Sequence, residues 1–184
     1  MAVDVFLKLG DIKGESKDSK HAGEIDVLSW SWGVSNASDV RAGSGAGAGK
    51  ANFSDLNFMH SLDKASPNLM KACAMGEHIK EATLTSRKAG KGQQEYLIVK
   101  MKEVFVTSIQ PSGSSEHPME SVSINFGHID LEYKPQKEDG SLDAGLHFIY
   151  DLKKQVRELE KQVANGSAAA GEEAPASKAK STKK

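Results

Sequence analysis

Residues 119–135, read as M-E-S-V-S-I-N-F-G-H-I-D-L-E-Y-K-P, restrict what this chain can fold into more than any other stretch. Val122, Ile124 and Phe126 occupy alternate positions, the repeat of a strand with one apolar and one polar face. Ile129, Leu131 and Tyr133 continue the alternation in the opposite phase. A regular strand would turn one of these sets toward water. The change falls at Gly127-His128, where a β-bulge would bring both sets to one core, and Pro135 ends the run. No helix carries this pattern, so the fold is built on sheet.

The same period recurs elsewhere. Val3, Val5, Leu7 and Leu9 alternate with Asp4 and Lys8 as far as Gly10, and Leu97, Val99 and Met101 oppose Lys100 and Lys102. The segment 24–34, E-I-D-V-L-S-W-S-W-G-V, holds both tryptophans of the chain. In an extended strand Trp30 and Trp32 share a face that needs a core, and they are expected as structural core residues. Ser29 and Ser31 share the other face, which can meet water or a second surface. Residues 11–23 are polar and read as a loop. A single core helix is expected, with Ser66 as N-cap, Pro67 in the first turn and Gly76 as the stop. Leu69, Met70 and Cys73 lie on one side of it, so Cys73 reads as a small packing residue and not as a nucleophile. These elements describe a mainly β fold, an antiparallel barrel or sandwich with one helix attached.

The character changes after about Leu152. Leu152, Val156, Leu159 and Val163 are spaced as a short helical stripe, and from Asn165 the chain is mostly Ala, Ser, Gly, Glu and Lys. Residues 1–152 therefore read as one β domain. Residues 153–184 read as an extension, a short helix followed by a disordered tail. The 184-residue length suits one cored domain plus that tail.

Little in the chain carries reaction chemistry. Its 24 basic and 25 acidic residues balance, which gives no global footprint for nucleic acid. The basic end, Lys178, Lys180, Lys183 and Lys184, reads as a solvated tail. One cysteine precludes an intrachain disulfide and fits a reducing cytoplasm. Asp4 and Lys8 interrupt the apolar start, against a cleaved secretory leader, and no apolar run approaches the ~18 residues of a membrane span. The stretch R-A-G-S-G-A-G-A-G-K, residues 41–50, fails as a phosphate loop. With Gly49-Lys50 as its final pair, Ser44 stands where glycine is needed and Ala51 where a hydroxyl is needed. It reads as a long flexible loop or as an arm reaching a neighbouring subunit. The six histidines form no metal-binding spacing, and His60 near Asp63 reads as a polar strand end. No catalytic, cofactor-binding or metal residue is assigned, and no enzyme activity is expected.

Several long stretches resemble one family. The start M-A-V-D-V-F-L-K-L-G-D-I-K-G-E-S-K-D, the segment H-A-G-E-I-D-V-L-S-W-S-W-G and the glycine-rich loop ending in G-K are similar to the haemolysin-coregulated protein (Hcp) family. So are D-K-A-S-P-N-L-M-K-A-C, R-K-A-G, Q-E-Y-L-I-V-K-M-K-E-V and S-I-N-F-G-H-I-D-L-E-Y-K-P-Q, in the family's order over residues 1–152. The resemblance implies a β-barrel of two antiparallel sheets flanked by one α-helix. It implies six-membered rings that stack into the inner tube of a type VI secretion system, wrapped by a contractile sheath and tipped by a spike protein. The tube lumen would carry and stabilise small effector proteins. Such a protein is made in the cytoplasm and leaves it, or enters target cells, without a signal peptide. No nucleic-acid or membrane-inserted partner is implied. On this resemblance Arg41, Gly43, Ser44, Gly45, Gly47, Gly49 and Lys50 are assigned to inter-subunit or ring-stacking contacts. Ser31, and then Ser29, are assigned to the lumen, because short hydroxyls leave a bore wide. The extension beyond the last strand is a departure from the family pattern. Thirty residues of this composition cannot bury a catalytic core, so it reads as an adaptor, a solvated tail or a segment that orders on contact.

Overall fold

The computed structural model describes residues 3–36, 50–88, 93–113, 117–154 and 156–157. In chain order the elements are β1 (Val3–Leu9), β2 (Ile25–Asp26), β3 (Ser29–Ser31), β4 (Val34–Asn36), β5 (Ala51–Phe53) and β6 (Leu56–Ser61). They continue as α1 (Ser66–Met75), β7 (His78–Lys88), β8 (Glu95–Ser112), β9 (Met119–Tyr133), β10 (Leu146–Asp151) and β11 (Val156–Arg157). The fold is mainly β with one flanking helix among the described residues, as the alternation required. Nine strands join into one curled sheet, and β4 and β5 form a separate pair.

The long β8–β9 ribbon is the frame. On its other side β9 pairs with β6 through its first half and with β10 through its second. β7 lies beside β8, β1 beside β7, and β2 beside β1. The chain then bends at Val27–Leu28. Val27 N–H donates to the Val5 carbonyl on β1 at 2.9 Å, whereas Leu28 N–H donates to the Met59 carbonyl on β6 at 2.8 Å. β3 continues along β6, so residues 25–31 link the two ends of the ladder β1–β7–β8–β9–β6 and the sheet curls back on itself. Leu7, Ile25, Phe58, Leu84, Met101 and Ile124 are fully buried inside. Each such side chain contributes about 1.5–3 kcal/mol by leaving water. Leu69 and Ala72 of α1 join this core, with the helix against β8.

Four local expectations are corrected. The phase change in β9 does not come from a bulge at Gly127-His128, because Lys102↔His128 and Val104↔Phe126 keep one register. Both strands re-phase together instead. Glu103, opposite Gly127, takes φ 55°, and Met101 and Val104 both reach the core although three positions apart. The Glu103 carboxylate crosses over Gly127, where an added Cβ would stand 3.0 Å from it, and pairs with Lys153. The register shift lies further along β8, between Val106 and Ser108, and makes Thr107 the inserted residue.

Ser66 is the first residue of α1 and not its N-cap. Asp63 organises the entry: its Oδ1 accepts the Ala65 N–H at 2.8 Å, and its own N–H donates to Ser66 Oγ at 3.2 Å. The turn closes one residue earlier for that reason. Gly76 ends the helix as expected, in the left-handed region at φ 60°. Cys73 is half-buried and packs against the core, but Met70 is exposed.

The helical stripe expected from Leu152 does not begin there. Residues 152–154 turn, and Val156–Arg157 pair with Asp151 and Tyr150 as β11. Leu152 packs on the core and its N–H donates to the Gly127 carbonyl at 2.9 Å, contacts that hold it out of a helix. Leu159, Val163 and the rest of 158–184 lie outside the described residues.

The polar stretch 11–23 is a loop pinned by a buried guanidinium. Arg87, 2% exposed, donates to Asp18 at 2.7 and 3.0 Å and to Asp4 at 3.1 Å, and lies 4.9 Å from the Phe6 ring centre. Phe6 stacks in turn on His21 at 4.3 Å. The Arg87 hydrogen bond, with help from the Lys20 N–H, holds the Asp18 carboxyl well below the usual carboxylate range.

Candidate functional site

The alternation that buries one side of β3, β6, β8 and β9 lays out the opposite side as a surface. On β6, Leu56, Phe58 and His60 are buried, while Asn57, Met59 and Ser61 are exposed. On β9, Glu120, Val122 and Ile124 are buried, which turns Ser121, Ser123 and Asn125 outward. Ser29 and Ser31 of β3 are exposed on the same side, across from Met59 and Asn57. Strand register arranges these residues in rows. One row is Ser29, Met59, Ser121 and Gln110, and the next is Ser31, Asn57, Ser123 and Ser108. A third begins at Asp55, just before β6, and continues through Asn125, Phe105 and His78. Apart from Met59, Phe105 and His78, the rows are short hydroxyls, amides and one carboxylate.

The rows are cross-linked. Ser123 Oγ donates to Asn57 Oδ1 at 2.6 Å, and Asn57 Nδ2 donates to the Asp55 carbonyl at 3.3 Å. The Thr107 hydroxyl donates to Asp55 Oδ2 at 2.6 Å, and Asn125 Nδ2 donates to Asp55 Oδ1 at 2.7 Å. The register shift at Thr107 is what brings its hydroxyl to Asp55. The face is thus a hydrogen-bonded polar plate, held from behind by the core.

Trp30 and Trp32 sit behind this plate. Both are half-buried and pack against the core. Trp30 pairs across strands with the buried Phe58. Trp32 stacks on Phe53 at 6.1 Å and meets Phe126 edge-on at 6.3 Å. Phe53 continues the aromatic group to Tyr150 at 4.8 Å, which ties the β4–β5 pair to β10. Neither indole reaches full burial.

Among the loop residues assigned to subunit contacts, only Lys50 is described, immediately before β5. Arg41, Gly43, Ser44, Gly45, Gly47 and Gly49 lie outside the described residues. The structure brings Ser29 and Ser31 together with partners that the sequence reading missed: Asp55, Asn57, Thr107, Ser121, Ser123 and Asn125. A signal for some of them was present. S-V-S-I-N alternates short polar and apolar residues just as S-W-S-W does.

His60 proves to be an interior residue. It is 1% exposed, its Nε2 lies 2.7 Å from Glu120 Oε1, and its Nδ1 lies 3.8 Å from Asp63 Oδ1. Buried against Glu120, it serves the junction of β6 and β9, where a substrate could not reach it. Among the described residues no group of side chains has the make-up of a metal centre, and no helix is long and apolar enough to cross a membrane.

Comparison with known proteins places this architecture. The family described as "Type VI secretion system effector, Hcp" matches residues 6–133. Protein hcp1 of Pseudomonas aeruginosa is 52% identical over 161 residues, covering 85% of this chain and 99% of that protein. Among solved structures, one described as a type six secretion system protein superposes with a TM-score of 0.80 at 28% identity, over 85% of this chain and 100% of its own. Hcp1 from Salmonella typhimurium gives a TM-score of 0.71 at 39% identity, over 86% and 100%.

Proposed function

We propose, since this chain belongs to the Hcp family of type VI secretion proteins, that it is a structural tube subunit whose polar plate lines the bore. Six copies would close a ring, and rings would stack into a tube that sits within a contractile sheath behind a spike protein. The tube leaves the cytoplasm on firing, and small effector proteins travel inside it.

The observation that carries this reading is the polar plate itself. A solitary barrel gains nothing from a wide face of short side chains cross-linked by hydrogen bonds. A channel wall gains clearance, wettability and a smooth contact for folded cargo. Assembly has its own support in the apolar surface left outside the core. Leu28, Val34, Met75 and Leu146 are each more than half exposed, at 60%, 52%, 71% and 66%, and further copies would cover such residues.

Substitution at the centre of the plate tests the bore assignment. Ser31→Gln lengthens one exposed side chain without touching the core. It should lower retention of co-expressed effector proteins while leaving rings intact by negative-stain imaging. Unchanged retention in intact rings would remove Ser31 from the bore.

A further inference from the structure

We propose that Asp55 makes this face selective for cationic protein cargo, an inference that rests on the tube reading above and names the chemistry its wall prefers. Asp55 is the carboxylate of the three rows, and it is held in place. Thr107 fixes one oxygen at 2.6 Å and Asn125 fixes the other at 2.7 Å. A carboxylate has about four acceptor positions, so each oxygen keeps one for an outside donor. Among the described residues no lysine, arginine or histidine forms an ion pair with it. Glu103, on β8, is by contrast compensated by Lys153.

An oriented charge with no cation on it among the described residues differs from an ordinary surface acid. The side-chain ordering that usually offsets an exposed ion pair is already met by Thr107 and Asn125. Around a closed ring the charge would recur at one height, so a segment with several lysines or arginines would meet several copies at once. Guanidinium or ammonium groups fit the open acceptor positions, while an acidic segment would meet only repulsion and neutral amides. The flanking Asn57, Ser121 and Ser123 add polar contact without adding charge.

The test uses the purified full chain, its assembly state read first by native mass. Fluorescein-labelled decalysine is titrated at low ionic strength and followed by anisotropy. Asp55→Asn should weaken binding about two- to fivefold, the range of an exposed ion pair, and Asp55→Glu should restore most of it. Raising the salt should erase the difference, and Glu138→Gln, on the loop before β10, should leave binding unchanged. Equal binding by the parent and Asp55→Asn would overturn the proposal, as would equal losses in Asp55→Asn and Asp55→Glu. A parent chain that never forms rings would overturn the tube reading, a separate result visible before any peptide is added.

Discussion

At the scale of single residues the fold rests on charged groups where a period-two pattern alone would place apolar ones. Arg87 is nearly as buried as the core, yet it holds Asp18 and Asp4 and so fastens the 11–23 loop to β1 and β7. Asp18 is the titrating partner. Its carboxyl is held below the usual range by the Arg87 hydrogen bond, so its proton binds more readily in the unfolded chain. That linkage contributes stability above the ordinary carboxylate value and loses it as pH falls through that value toward the depressed one. Urea midpoints measured from about pH 7 down to about pH 3 should therefore fall more steeply for the parent than for Asp18→Asn. Parallel curves would show that the Arg87 contact does not hold the loop. None of this was legible beforehand, because Asp18 and Arg87 are 69 positions apart and only the curled sheet brings them together. His60 and Glu120 give the same lesson, since neither residue type announces burial and their pairing depends on β6–β9 register.

At the scale of elements, alternation proved a reliable guide to strands and a poor one to their irregularities. The runs ending at Leu9, around Val99 and through Ile124 all form strands, with the expected apolar side inward except at the start of the first, where Val3 is exposed and Phe6 of the other face is buried. The 127–128 junction was legible as a change of phase, but its mechanism was not. The special backbone angle belongs to Glu103 on the facing strand, and glutamate gives no hint of positive φ. Such a residue stores strain that its surroundings must hold, here the pairing with Lys153 above Gly127. Glu103→Val should destabilise the fold by at least about 1 kcal/mol more than Glu103→Gly, because a β-branched side chain opposes the left-handed conformation and glycine accepts it. Thermal or urea denaturation of the two variants decides. Equal stability would mean that the strands can re-phase without that angle. The polar plate follows from the same alternation read on its other side, and S-V-S-I-N was as open to that reading as S-W-S-W. The Asp55–Asn125 and Asn57–Ser123 bonds needed the register, which no local pattern encodes.

At the scale of the whole molecule the curled sheet separates two jobs. Its inner side is a packed core that keeps the strands in register, and its outer side carries the polar plate on Ser29, Ser31, Asn57, Ser123 and Asn125. Rigidity behind and short side chains in front suit the passage wall proposed above, and in that assembly neighbouring copies would cover the exposed Leu28, Val34, Met75 and Leu146. Composition suggested a division at residue 152, whereas the sheet carries the chain on past it through β11. Family membership was legible too, because the matching stretches are long and run through both core and plate. The proposed tube requires that copies assemble with this plate facing inward. Cryo-electron microscopy of the purified full chain tests it most directly. Sixfold rings with Ser31 and Asn57 on the wall of the central hole are expected; particles without a ring, or rings with those residues on the outside, would rule the inward plate out.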